Sequence, residues 1–300
     1  MENVWFKRAA VAFLIIYAVF FISNQYYGLR DTVSNLTPNL PLLMFSSAIL
    51  LISVLLSGNP WRQLIIAFGY TFPWIDIARA QMLSMLGKYI PGHIWNYSSK
   101  VYLSYKLGFP IKRSGLAVII EMLITYLIAV GLFLIFIPKA IFSISSTGLL
   151  IIRLIGAAVL ILLVLIPLCL SKFLKEKAFI PFPFKLIIVI LIRAGLWILS
   201  SYAFITLILS LGYPQISLPA AIAVITSSFF VGFLAIFAPD GLVIREAIII
   251  LLLRGLITTP EATLISLAFR FQLIVVEFLS VLIVLIIWKI RNHQLNARKD

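Results

Sequence analysis

Apolar positions in this chain run on without the polar stripe that marks a surface helix. Uncharged stretches extend from Ala9 to Leu29, Thr32 to Trp61, Ala140 to Ile152, Leu154 to Ser171 and Ala194 to Pro239. About 20 apolar residues suffice to cross a bilayer as a helix, so the pattern predicts spans at 9–27, 40–57, 116–137, 149–170, 186–209, 218–238, 242–258 and 264–287. Segments this long and this uniformly apolar lack the alternation of a membrane β-barrel. The predicted fold class is therefore all-α: a polytopic membrane protein with about six full spans plus two re-entrant or broken helical segments. A single integral membrane domain over 1–300 is expected. The first apolar run, after Lys7 and Arg8, is long enough to span and shows no small-residue cleavage site, so it reads as a helix and not as a cleaved leader.

The stretch from Arg62 to Arg113 departs from this pattern. It is amphipathic, carries Asp76, Arg79, Lys88, His93 and Lys100, and is broken by Pro73, Pro91 and Pro110. Helices of roughly 14 residues on each side of Pro91-Gly92 reach about 21 Å, enough to enter a bilayer and return but not to cross it. A re-entrant hairpin over 73–106 is predicted, and 218–258, broken at Ala238-Pro239-Asp240-Gly241, is read as the second interrupted segment.

Composition sharpens the class. Hydrophobic residues make up 63% of the chain and charged residues 11%, with a mean hydropathy of +1.14, which no water-soluble core requires. The formal net charge of +14 does not indicate nucleic acid, because the basic residues are scattered singly between apolar runs. They read as topology signals. With both termini cytoplasmic, Lys7, Arg8, Arg62, Lys100, Lys106, Lys112, Arg113, Lys172, Lys175, Lys177, Lys185, Lys289, Arg291, Arg298 and Lys299 fall inside, against Arg30, Lys139, Arg153 and Arg254 outside. The single Cys169 and only two histidines exclude an internal disulfide and disfavour a zinc centre. No cofactor is expected.

The two halves, 9–137 and 149–288, share an order of span, span, broken segment, span. An odd number of crossings separates them, so the second copy would be inverted. Pro91 and Pro239 are 148 positions apart (239 less 91), an offset that brings Glu121 to within one residue of Arg270. Inverted repeats with helices interrupted at equivalent places are a transporter signature, with substrate held where the breaks meet.

Candidate site residues follow from the cost of burying backbone and charge in hydrocarbon. A Pro-Gly break at depth must face protein or a wet cavity. The helix restarting after Pro91-Gly92 presents free N–H groups suited to phosphate, flanked by Lys88 and His93. Asn96 lies one turn on, although it and its neighbours Trp95 and Tyr97 also suit an interfacial anchor. Glu121 interrupts an apolar span and needs a cation or a proton. Arg270 and Glu277, seven apart, share a helical face. Around Pro239 and Gly241, Asp240 is placed to cap the helix starting near Leu242. Arg245 could meet an anionic head group, and Glu246 could neutralise Arg270. Arg193, near a helix end, is the weakest candidate.

The run Gly87-Lys88-Tyr89-Ile90-Pro91-Gly92-His93-Ile94-Trp95, then Gly108, Ser114 and Glu121, and later Pro239-Asp240-Gly241-Leu242-Val243-Ile244-Arg245-Glu246 with Arg270, resembles the flippase-like transmembrane region of lysylphosphatidylglycerol synthases and the stand-alone membrane proteins of that family. The resemblance covers nearly the whole chain. It departs at Asp240 and Val243, where the family pattern tends to read Pro-Gly-Gly-x-Gly. The large soluble aminoacyl-transferring domain is not expected, since Asp300 follows soon after the last span.

The resemblance implies a prokaryotic plasma-membrane protein that moves an anionic or aminoacylated phospholipid, or a lipid-linked sugar, between leaflets. Its partners would be membrane lipids and a separate lipid synthase or glycosyltransferase. Neither a phosphate-binding G-x-x-x-x-G-K-[ST] motif nor a nucleotide fold is legible, so uphill movement would need an ion gradient or another protein. The competing expectations are an integral-membrane glycosyl or phosphoryl transferase acting on a polyprenyl lipid, with Glu121, Asp240 or Glu246 as base, and a non-catalytic partner of a lipid synthase.

Overall fold

The structure, a computed structural model, describes residues 30, 32–34, 36–90, 94–138, 145–173, 183–214, 216–235 and 238–296. The predicted span 9–27 and the residues Pro91, Gly92 and His93 lie outside them. Among the described residues, ten α-helices carry the fold: α1 Leu40–Leu56, α2 Gly58–Ala67, α3 Trp74–Met85, α4 Ile94–Lys106, α5 Ile111–Phe136, α6 Ser146–Phe173, α7 Pro183–Ser210, α8 Leu218–Leu234, α9 Ile244–Leu253 and α10 Thr259–Asn296. No strand occurs among the described residues, and the chain is an all-α, polytopic membrane protein.

Among the described residues, five helical stretches are long and apolar enough to cross a bilayer: Leu40–Ala67, Ile111–Phe136, Ser146–Leu165, Phe184–Ser210 and Thr259–Gln294. The first of these, and one predicted span that is not among them, differ from the sequence expectation. The first continues past Ser57 through α2 to Ala67, because Trp61, Leu64 and Ile65 bury themselves completely and carry Arg62 along on the same helix. The proposed span 242–258 is only the 10-residue α9, roughly 15 Å long and too short to cross.

Two pairs of short helices take its place. Helices α3 and α4, 12 and 13 residues long, pack side by side around the 3-10 turn Leu86–Tyr89. Helices α8 and α9, 17 and 10 residues long, do the same around the turn Pro239–Gly241. These two turns touch each other. Local sequence sets the starts: Asn39 Oδ1 accepts from the Leu42 N–H at the head of α1, Ser217 Oγ accepts from Ala220 N–H at the head of α8, and Pro73 and Pro110 precede α3 and α5.

Lipid tails are as apolar as leucine, so helices here associate through close packing and polar contacts rather than hydrophobic burial alone. Helices α1 and α7 illustrate this. Asn39 N–H donates to Ser210 C=O at 2.7 Å, Ser46 Oγ to Ala203 C=O at 2.6 Å and Ser53 Oγ to Leu196 C=O at 3.3 Å, so the two helices run antiparallel. Gln272 of α10 ties in by donating to both Ser46 and Ser47. Where α5 and α6 cross, a Cβ on Gly156 would lie 2.8 Å from the Gly131 carbonyl oxygen, so the backbones meet directly.

Candidate functional site

Charged side chains converge where the two short-helix pairs meet. The turn Pro239–Gly241 has left-handed backbone at Asp240 (φ 48°) and Gly241 (φ 64°), and Val243 follows at φ 72°. A β-branched residue there is strained, a cost that persists only where the surroundings impose it. Gly241 is required by contact as well as conformation: a Cβ would sit 2.7 Å from Gly232 Cα of α8. On the opposite pair, a Cβ on Gly87 would lie 2.7 Å from the Asn96 backbone nitrogen, which fixes how closely α4 returns past the first turn.

Asp240 is buried, with 2% of its surface exposed, and is surrounded by cations. Its Oδ1 lies 3.0 Å from Arg245 Nη2, and its Oδ2 lies 3.1 Å from Arg270 Nη1 and 3.5 Å from Lys88 Nζ. Arg270 Nη1 also donates to the Asp240 carbonyl at 3.2 Å, while its Nε faces Glu246 Oε1 at 3.6 Å. Lys88 donates to Glu277 Oε1, and Tyr89 Oη donates to Glu277 Oε2 at 2.6 Å. Both turns are therefore stitched into one ionic network with α10.

A second cluster sits around Glu121 of α5. Its Oε2 accepts from Lys100 Nζ of α4 at 2.7 Å, and its Oε1 accepts from Arg193 Nη2 of α7 at 2.7 Å. Lys100 is 4% exposed and Glu121 5%. Lys100 Nζ also stands 5.1 Å from the Trp61 ring, and Tyr97 and Tyr126 exchange a hydroxyl contact of 3.2 Å nearby.

Both clusters face one cavity of about 230 Å³, far above the roughly 10–15 Å³ that one water needs. Lys88, Asn96, Lys100, Glu121, Arg193, Asp240, Arg245 and Glu277 all line it, together with Tyr97, Tyr126, Trp197 and Phe229. A smaller void behind it is lined by Arg245, Glu246 and Arg270. Arg245 is held by a face-on contact, its guanidinium carbon 3.9 Å from the Phe229 ring centre. Among the described residues, no group of three metal-binding side chains occurs.

Of the sequence candidates, Lys88, Glu121, Asp240, Gly241, Arg245, Glu246, Arg270 and Glu277 come together here, and Pro239 belongs to the second turn. Pro91, Gly92 and His93 lie outside the described residues. Three expectations change. Asp240 does not cap α9: Val243 holds the N-cap position without a side-chain bond, because three cations compete successfully for the carboxylate. Lys100, counted among the cytoplasmic cations, is the buried partner of Glu121. Asn96 and Tyr97 line the cavity instead of anchoring at an interface, whereas Trp95 is exposed.

Arg193, the weakest of the sequence candidates, is held on Glu121 in the cavity wall, and Tyr89, Tyr126 and Trp197 join the site without having been candidates. Their only sequence signal is spacing: Arg193 and Trp197 are four apart on one helical face, and Tyr89 adjoins Lys88. Neither the known protein families nor the curated proteins compared with this chain match it.

Proposed function

We propose that this chain is a flippase-like lipid transporter of a prokaryotic plasma membrane, with both termini cytoplasmic, that passes a phospholipid or lipid-linked sugar head group between leaflets. The observation that carries the reading is the charged cavity of about 230 Å³ built where two interrupted helix pairs meet. Irregular backbone at membrane depth is tolerated only against protein or a wet cavity, and a head group needs such a route while its acyl chains stay in lipid.

The arrangement of neighbours supports an inverted repeat beneath this site. Leaving α6 aside, exchanging α1–α2 with α7, α3 with α8, α4 with α9 and α5 with α10 maps packed pairs onto one another: α3 with α4 onto α8 with α9, α3 with α10 onto α8 with α5, α2 with α3 onto α7 with α8. The exchanged helices α1 and α7 run antiparallel, as inversion demands. In transporters of this kind, one repeat rocks against the other around a fixed site. The resemblance to the flippase-like region of lysylphosphatidylglycerol synthases runs through Lys88, Glu121, Arg245 and Arg270, and departs at Asp240.

A transferase reading is less favoured, because Glu121, Asp240 and Glu246 each face a cation and none stands as a free base. Reconstitution into liposomes carrying fluorescent lipids, with a membrane-impermeant quencher outside, tests transport. The expected outcome is quenching of inner-leaflet lipid faster than in protein-free vesicles. No acceleration over a panel of anionic, zwitterionic and aminoacylated lipids would falsify the reading.

A further inference from the structure

The cavity's hydrogen-bond ledger is unbalanced. Among the described residues, Trp197 Nε1, Arg193 Nε, and Arg245 Nε and Nη1 are buried N–H groups that meet no acceptor, and all three residues line the cavity. Buried donors without partners are rare and costly. They stand close together: Arg193 and Trp197 share a face of α7, the Trp197 ring packs edge-on against Phe229 at 5.1 Å, and Arg245 lies over the same Phe229 ring at 3.9 Å. Acceptors are thus wanted at this wall of the cavity, while Gln81 Oε1 and Asp240 Oδ2, elsewhere on its lining, are acceptors that take no hydrogen bond.

Charge points the same way and sets a magnitude. Five cations, Lys88, Lys100, Arg193, Arg245 and Arg270, face four carboxylates, Glu121, Asp240, Glu246 and Glu277. The formal excess is one positive charge. Proton transfer within a pair such as Lys100–Glu121 leaves that sum unchanged.

We infer that the cavity takes a singly charged phosphodiester, whose oxygens accept from Trp197 Nε1 and the spare N–H groups of Arg193 and Arg245. The inference rests on the head-group reading above and narrows it. A phosphatidylglycerol-like lipid or a polyprenyl monophosphate sugar carries this chemistry. An aminoacylated lipid with a net positive head group does not, and a diphosphate-linked sugar brings one negative charge too many.

Binding to the full-length protein in detergent, followed by native mass spectrometry, tests this separately from transport. The probes are dihexanoyl phosphatidylglycerol, dihexanoyl phosphatidylcholine, the lysyl ester of the former, a short-prenyl phosphoglucose, and the soluble diester glycerophosphoglycerol. The singly anionic diesters are expected to bind at least tenfold more tightly than the zwitterion and the lysyl ester. W197F keeps the ring packing but loses the N–H, and should weaken the anionic diesters about tenfold, the factor that 1.4 kcal/mol represents. The prenyl and glyceryl probes decide between the two lipid sources, and binding by the soluble diester alone assigns the site to a free phosphodiester.

Equal affinity across the charge series overturns the inference even where liposomes show transport. Selective binding of the monoanions without any transport upholds it and removes the flippase reading. The charge series on the unmodified protein needs no variant, so it stands whether or not W197F folds.

Discussion

Glu121 shows how a single side chain is constrained in this molecule. Its carboxylate is shared by Lys100 and Arg193, each 2.7 Å away, and all three are largely shielded from water. Breaking a buried ion pair by removing one partner is costlier than never having had it, because the other charge is left uncompensated. Glu121→Gln strands two cations at once and is expected to destabilise the protein by about 3–5 kcal/mol. Lys100→Met in that background should restore part of the loss. Thermal unfolding in detergent checks both, and a single variant as stable as the parent would contradict the pairing. From sequence, Glu121 could be singled out because a lone carboxylate in an apolar span demands a partner. Which cation answered was not legible: Lys100 sits among Asn96, Tyr97, Ser98 and Ser99, a composition that reads as a loop or interface.

At the scale of elements, the short helices decide the topology. Helices α3 and α4 reach roughly 18 and 20 Å at 1.5 Å per residue, against a hydrocarbon core of about 30 Å. If the first pair is re-entrant, both its outer ends face the same water phase. In a Cys169→Ser background, Thr71→Cys and Lys106→Cys should react with an impermeant maleimide from one side. Pro214→Cys and Gly255→Cys, flanking α8 and α9, should react from the other. Labelling of Thr71→Cys and Lys106→Cys from opposite faces would mean the first pair crosses. The prolines that break these segments were visible in the sequence, and so were the apolar lengths. The run-on of α1 into α2 was not, since Arg62 looked like the end of a span; Trp61, Leu64 and Ile65, which bury that helix against neighbours far along the chain, are what extend it.

At the scale of the whole molecule, the α1–α7 seam joins the two halves and borders the cavity. Ser53 Oγ and Ser200 Oγ are 3.0 Å apart there, and both residues line the cavity. If transport requires one half to rock against the other, a bond across this seam arrests it. In the Cys169→Ser background, the pair Ser53→Cys and Ser200→Cys should cross-link under mild oxidant, halt lipid movement in liposomes and recover on reduction. Full activity in the cross-linked state would show that the halves need not part along this seam.

The amino-acid sequence by itself determined that the chain is helical and membrane-embedded, because hydrocarbon permits only backbone that satisfies its own hydrogen bonds, and uninterrupted apolar runs of span length leave little alternative. It also marked where helices break, since proline removes a donor wherever it stands. Only the tertiary structure decided which charges pair. Lys88 meets Glu277 across 189 positions and Arg193 meets Glu121 across 72, and such matches depend on how helices pack, information that no local spacing carries. Asp240 is the clearest instance: alone beside a helix start it is a capping residue, and among Lys88, Arg245 and Arg270 the stronger field of three cations takes the carboxylate instead.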